Sequence, residues 1–374
     1  MADAGAFSVI KILFLCLKIY SLFNTRLLYY FCTMKNEELK IARWWETANN
    51  GKILCTLCPR YCTIGDGQIG FCFIRQNIDG KLYSTGYGRP TGFAIDPIEK
   101  KPLSHFLPGT NILSFGTAGC NLGCKFCQNW SMSKAKLDDL NALSVTPEEV
   151  VELAKKYNTP SIAYTYNDPT IFGEYVIDIS KIGRSEGIKS VMVTAGYIDK
   201  KARKDVYKYI DAANVDLKAF TERFYKKLTF SSLKSVLDTL IWLKNETDVW
   251  FEITTLLIPG ENDSPNEIKA ECNWIVENLG DNIPLHFTAF HPDFKMTDLI
   301  PTPGSTLNTA RATAFSEGIK YCYVGNVHDR EGQTTYCPDC KTALIKRDWQ
   351  SVLSNKLEHG KCCNCGTKID GCFQ

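Results

Sequence analysis

The chain has no strong excess of either charge, no clean membrane span and little histidine. Its 43 Lys and Arg against 41 Asp and Glu give a formal charge of +2. That balance predicts neither nucleic-acid binding nor adhesion to an acidic surface. Acidic residues are absent between Asp3 and Glu37, and the stretch from Ala6 to Cys32 is largely apolar. Lys11, Lys18 and Arg26 interrupt it too often for a transmembrane helix, and it lacks an A-x-A-like cleavage site. A targeting leader, an interfacial anchor and an unused leader ahead of Met34 remain its three readings, so residues 1–33 are set apart from the fold. The expected location is the cytoplasm; an organelle or a membrane surface reached through residues 6–32 is the alternative. Cysteine is scarce through most of the chain, yet there are 17, bunched at 55–72, 120–127, 337–340 and 362–372. Scattered pairs would suggest secreted disulfides, whereas bunches in a large chain suggest metal sites in a reducing compartment.

The most informative bunch is Cys120-Asn-Leu-Gly-Cys124-Lys-Phe-Cys127. Sulfurs four and then three residues apart can converge from one wrapped loop, and soft thiolates favour iron–sulfur clusters or zinc. Three ligands suit a cubane of four irons with one iron left open. Phe126 could lay its ring beside whatever binds that iron. Upstream, Cys55-x2-Cys58-Pro-x2-Cys62 and Cys72 could close a second site, zinc or iron–sulfur. Downstream, Cys337-x2-Cys340 and Cys362-x2-Cys365 are spaced as a zinc ribbon, with a rubredoxin-like iron site as the other metal reading. That module is too small to bury much of a core, so its metal is expected to supply folding energy.

Between the cysteine groups the chain alternates. Short apolar runs at 111–117, 161–166, 189–195, 213–217, 249–258 and 284–290 are separated by helical stretches. Thr146-Pro-Glu-Glu149 and Ser264-Pro-Asn-Glu267 open two helices, and Asp199, Ser231 and Thr306 are further candidate caps. Residues 35–45 read as a polar helix. Six alternating units predict an α/β fold, a β/α barrel rather than a doubly wound sheet. Chemistry in such a barrel sits at the C-terminal strand ends, where the Cys120 loop falls. The other strand-end candidates are Asn167, Asp168, Thr194, Asp216, Lys218, Glu252, His286 and His291. Asp168 before Pro169 reads equally as a helix cap. An inward Glu252 needs a partner such as Lys218.

The triplet resembles the signature C-x3-C-x2-C of the radical S-adenosylmethionine (SAM) superfamily. The resemblance implies an open, six-stranded partial barrel, a 4Fe–4S cluster on Cys120, Cys124 and Cys127, and SAM chelated to its open iron. One electron then gives methionine and a 5′-deoxyadenosyl radical, which takes hydrogen from a substrate. SAM contacts are implied at Phe126, Asn167, Asp168, Thr194, Glu252 and His286, although Asp168 stands where the family usually has Glu. With Gln128-Asn129-Trp130, Tyr164 to Thr170, His286 to Pro292 and Tyr336 to Cys340, residues 34–374 resemble the radical SAM proteins of the AmmeMemoRadiSam system, close to pyruvate formate-lyase-activating enzymes. That implies a flavodoxin- or ferredoxin-like electron donor and partners of the Memo and AMMECR kinds. The expected division is a Cys-rich segment at 34–110, the barrel at 111–328 and a zinc-ribbon-like module at 329–374. Glycyl-radical activation is one alternative function, and a non-catalytic multi-zinc scaffold is the other.

Overall fold

The computed structural model describes residues 39–140 and 142–374. The apolar leader lies outside the described residues, as do positions 35–38 of the expected first helix. No helix among the described residues is long and apolar enough to cross a membrane. Ile41–Gln374 form one compact unit, which takes in the expected segments from residue 41 onward.

One eight-stranded sheet organises this unit. Its strands are β1 (Thr91–Pro97), β2 (Asn111–Gly116), β3 (Ser161–Tyr164), β4 (Lys189–Thr194), β5 (Ala212–Asp216), β6 (Trp250–Leu257), β7 (Leu285–Ala289) and β8 (Cys322–Gly325), lying side by side in chain order. β2 to β8 run parallel, and β1 is antiparallel to β2. The alternation is as expected, and no pairing joins β1 to β8 among the described residues, so the barrel is open. The number six is corrected, because β8 adds a seventh parallel strand and β1 an antiparallel edge. Five helices, Pro147–Lys156, Gly173–Ser185, Leu233–Glu246, Pro265–Leu279 and Gly304–Ser316, and the shorter Lys200–Val206 cover the outside.

Side-chain chemistry explains the elements. Every residue of β7 is buried, which suits a parallel strand covered on both faces. The capping box at Thr146 is complete: Thr146 Oγ1 accepts from Glu149 N at 3.3 Å, and Glu149 Oε2 accepts from Thr146 N at 2.8 Å. Ser264 also caps its helix, but Glu267 turns away to accept from Phe220 N at 2.8 Å. Asp199 caps Lys200–Val206. Ser231 and Thr306 do not cap, since their helices start at Leu233 behind Ser232 and at Gly304.

From residue 39 the Cys-rich segment is built from short antiparallel strands, where the expected helix would have run on to 45. Trp44 has φ +49, and Trp45–Thr47 pairs with Ile53–Cys55. A hairpin of Arg75–Ile78 and Lys81–Ser84 turns through Asp79-Gly80, where both φ values are positive as a tight hairpin turn requires. At the other end, Thr335–Tyr336, Ala343–Asp348 and Ser351–Asn355 make a small antiparallel sheet. Its tail reaches the N-terminal ends of the barrel strands, where Cys372 N donates to His105 O at 2.7 Å and Leu107 N to Cys372 O at 2.8 Å.

Candidate functional site

The loop carrying Cys120, Cys124 and Cys127 leaves the C-terminal end of β2. Its root is clamped by Asn167, which accepts from Thr117 N at 3.1 Å and donates to Thr117 Oγ1 at 3.1 Å and to Gly119 O at 2.8 Å. Gly119 has φ +80, and a Cβ there would lie 1.9 Å from the carbonyl oxygen of Cys72. Only glycine lets the two cysteine-bearing chains meet so closely. Further along, Gly123 N and Lys125 N donate to Thr229 O and Leu228 O at 2.8 and 2.9 Å. Asn121 Nδ2 donates to Tyr197 O at 2.9 Å, and Lys134 Nζ to Leu122 O at 2.7 Å.

Polar groups surround the sulfurs. Cys120 Sγ accepts from Leu122 N at 3.5 Å and also faces the backbone N–H of Asp168. Cys127 Sγ lies 3.2 Å from Ser133 Oγ. Burial pushes the Cys120 thiol up to about 11, and the Asp168 charge adds to the rise. Burial also pushes Cys124 up to about 12 against the pull of Lys218. Thiols held protonated this way ionise when a metal takes the proton's place. Lys218, paired with Asp216 at 2.7 Å, sits 6.0 Å from the Phe126 ring, and Phe126 packs on Phe224 with centroids 5.7 Å apart. From the loop after β7, Lys295 N donates to Lys125 O at 3.0 Å and Phe294 stacks on Trp130 at 5.7 Å. That segment packs against the cysteine loop and the turn after it.

The remaining expected contacts divide. Asp168 is at the correct strand end, but its carboxylate is engaged, accepting from Thr170 N and Ala195 N, each at 2.9 Å, and from Thr194 Oγ1 at 3.2 Å. It caps the turn Pro169–Phe172 and ties β3 to β4. Thr194 also accepts from Gly196 N at 3.1 Å. Asn167, Asp168 and Thr194 therefore shape the wall around Cys120.

Glu252 and His286 require correction. They lie third in β6 and second in β7, toward the N-terminal strand ends and away from the cysteine loop. Glu252 is fully buried and accepts from Ser104 N at 2.9 Å, His105 N at 2.7 Å, Trp250 Nε1 at 3.1 Å and His286 Nε2 at 2.7 Å. Burial opposes its charge, yet these donors and the histidines hold its carboxyl below the usual range. Its partner is His286, not Lys218. Together they fix the loop under the barrel. His291, by contrast, is exposed.

The other cysteine groups differ in spacing. Cys337 and Cys365 sulfurs are 3.6 Å apart, as are those of Cys340 and Cys362. A tetrahedral ion with bonds of about 2.3 Å places its sulfurs about 3.8 Å apart, so this set fits one ion. Among the described residues it is the only set of three or more such ligands within 4.8 Å of one another. Cys120, Cys124 and Cys127 stand wider, as fits a cubane in which each thiolate takes a different iron. Cys55, Cys58, Cys62 and Cys72 also stand wider, around a common cavity. Sequence reasoning overlooked Lys134, Ser133 and the Gly119–Cys72 contact. Only Gly119, directly before the first cysteine, carried a readable signal.

Comparison with known proteins agrees with this geometry. The Radical SAM superfamily model matches residues 115–271, from β2 into the helix after β6. The uncharacterized protein MJ0808 of Methanocaldococcus jannaschii is 43% identical over 89% of this chain and 99% of its own length. The pyruvate formate-lyase-activating enzyme of Clostridium pasteurianum is 24% identical over 49% of this chain and 76% of its own. A putative glycyl-radical enzyme activating enzyme of M. jannaschii, MJ1632, is 28% identical over 38% and 54%. The chain belongs to the family of MJ0808, and its barrel is a radical SAM domain homologous to pyruvate formate-lyase-activating enzymes.

Proposed function

We propose that this protein is an enzyme that cleaves SAM reductively on a 4Fe–4S cluster held by Cys120, Cys124 and Cys127, and uses the radical on a protein-borne substrate. The observation that carries this reading is the loop itself. Its three sulfurs are too far apart for one ion, and its root is clamped at the C-terminal mouth of an open β/α barrel. When bound, the cluster and SAM supply a 5′-deoxyadenosyl radical. The chain's own residues prepare the place. Asn167 and Gly119 fix the loop, Lys134 and Lys218 bring positive charge near the thiolates, and Phe126 gives an apolar wall. The segment around Phe294 and Lys295 packs against the loop at Lys125 and Trp130.

The test is anaerobic reconstitution with iron and sulfide, then SAM and dithionite. The expected products are 5′-deoxyadenosine and methionine in equal amounts, lost in Cys124→Ala. Iron-loaded protein that forms neither product refutes the reading. Glycyl-radical activation is the favoured form of the substrate step, supported by the names of two relatives. A glycyl signal by electron paramagnetic resonance on a co-purifying partner would establish it. Cys337, Cys340, Cys362 and Cys365 hold a zinc ion in this reading, on the strength of their 3.6 Å pairs.

A further inference from the structure

The cavity among the N-terminal cysteines has a chemistry that the barrel reaction leaves unexplained. Cys55, Cys58, Cys62 and Cys72 line this small cavity together with Arg75 and Asn121, and it is partly open to solvent. Backbone N–H groups of Leu57, Arg60 and Ile74 point at the sulfurs of Cys55, Cys58 and Cys72. Such donors stabilise thiolates, and around clusters they tune the metal. No three of these sulfurs come within 4.8 Å of one another, whereas the C-terminal four do. One tetrahedral ion cannot span the wider set.

Arg75 adds an independent observation. It is 1% exposed, and only its Nη2 is satisfied, donating to Glu174 Oε2 at 2.6 Å. Among the described residues its Nε and Nη1 have no hydrogen-bond partner, although the side chain lines the cavity. Two orphaned donors on a buried cation cost on the order of 1–3 kcal/mol each unless an acceptor reaches them. The thiolate and sulfide of a cluster are such acceptors, and a cluster with four thiolates is anionic.

We propose that Cys55, Cys58, Cys62 and Cys72 hold a second 4Fe–4S cluster, with all four irons covered by protein thiolates and with Arg75 as its buried counter-charge. Full coverage leaves no iron free to bind SAM, so this cluster carries electrons. That role, unlike the site, rests on the radical SAM reading. A low-potential one-electron donor protein reduces the second cluster by one electron. Reoxidation then passes that electron toward Cys120–Cys127, with no bond made or broken. The route is short. Asn121 walls the cavity and adjoins Cys120, Arg60 Nε donates to Asn121 O at 3.1 Å, and the Cys72 carbonyl lies against Gly119.

Acid-labile sulfide per chain tests the site, because neither zinc nor a rubredoxin-type iron contributes any. Full-length protein is reconstituted anaerobically, intact and with Cys120, Cys124 and Cys127 all changed to Ala. The intact chain should hold about eight sulfides, and the variant about four with an iron–sulfur resonance after reduction. A companion Cys58→Ser/Cys72→Ser variant should also hold about four; should it fail to fold, the first variant alone decides. About four in the intact chain and none in the triple variant overturns the second cluster and leaves the radical SAM reading standing. About four in both upholds the second cluster and removes the assignment of Cys120, Cys124 and Cys127.

Discussion

Changing Gly119 to alanine would place a methyl group 1.9 Å from the Cys72 carbonyl oxygen and 3.0 Å from its carbon. Ordinary contact begins at 3.4 Å, so one of the two chains must move by about 1.5 Å. Both ends are backbone, and neither can swing aside as a side chain would. A left-handed φ of +80 in a residue with a Cβ costs about 1–2 kcal/mol more. With about 1–3 kcal/mol for overpacking, the expected loss of stability is about 2–5 kcal/mol. Gly123 is the control. A Cβ there meets Phe230 Cδ2 at 2.5 Å, but Phe230 is 48% exposed and its ring can turn away. Its φ is not left-handed, so Gly123→Ala should cost under about 1 kcal/mol. Urea denaturation of both variants, read at constant m, gives the comparison. Iron and sulfide content after reconstitution should fall in Gly119→Ala at both cysteine groups together. Equal midpoints for the two variants, or a Gly119→Ala protein with full iron, would refute the backbone contact.

Three further outcomes are expected. Asn167→Ala leaves Thr117 N–H and Gly119 C=O unpaired inside the protein, costing about 2–4 kcal/mol by denaturation and lowering iron retention more than Asn129→Ala. Burial pushes the Glu271 carboxyl up to about 8, against the 2.5 Å hydrogen bond from Thr255. The folded state then keeps a proton that the unfolded chain gives up above about 4.5, so stability falls as pH rises through that window, by on the order of 3 kcal/mol from about pH 5 to 7.5. Glu271→Gln should flatten this slope, and an unchanged slope removes the explanation. Stripping metal from the C-terminal cysteines should expose the amides of Cys372 and Leu107 to hydrogen exchange while β3 to β6 stay protected.

Six of the barrel strands were legible because each is a buried run of four to eight residues with β-branched or aromatic side chains. β3 is as short as β8 but was legible within the six-residue run 161–166, whereas β8, Cys-Tyr-Val-Gly, is cut off by Gly325 and Asn326; β1 alternates irregularly in a stretch rich in glycine and proline. The first helix was misjudged on polarity alone. Trp44 instead takes a left-handed turn, with its Nε1 donating to Asp205 at 3.0 Å. Spacing brought out the C-terminal set of four cysteines, since local chain geometry decides which sulfurs can converge. Glu252 and His286 show where that reasoning stops. Strand alternation gives the face on which a side chain lies but not its depth along the barrel, and depth determined that Ser104 and His105 are their neighbours. Asp168 illustrates a related limit. Both readings of it were open from sequence, and the amides of Thr170 and Ala195, set by tertiary folding, claim its carboxylate.

The loop beneath the barrel also orders events during synthesis. His105 is gripped from inside by Glu252, while its ring faces Asp370 O and Tyr323 Oη, each at 2.5 Å, and its carbonyl receives Cys372 N. A ribosome makes His105 some 265 residues before Asp370. Throughout that interval the floor of the barrel is without its final strap, and Cys372 and its neighbours are still to come. The base is therefore closed by a stretch translated some 265 residues after His105, and a nascent chain cannot finish folding this early loop until that stretch has emerged.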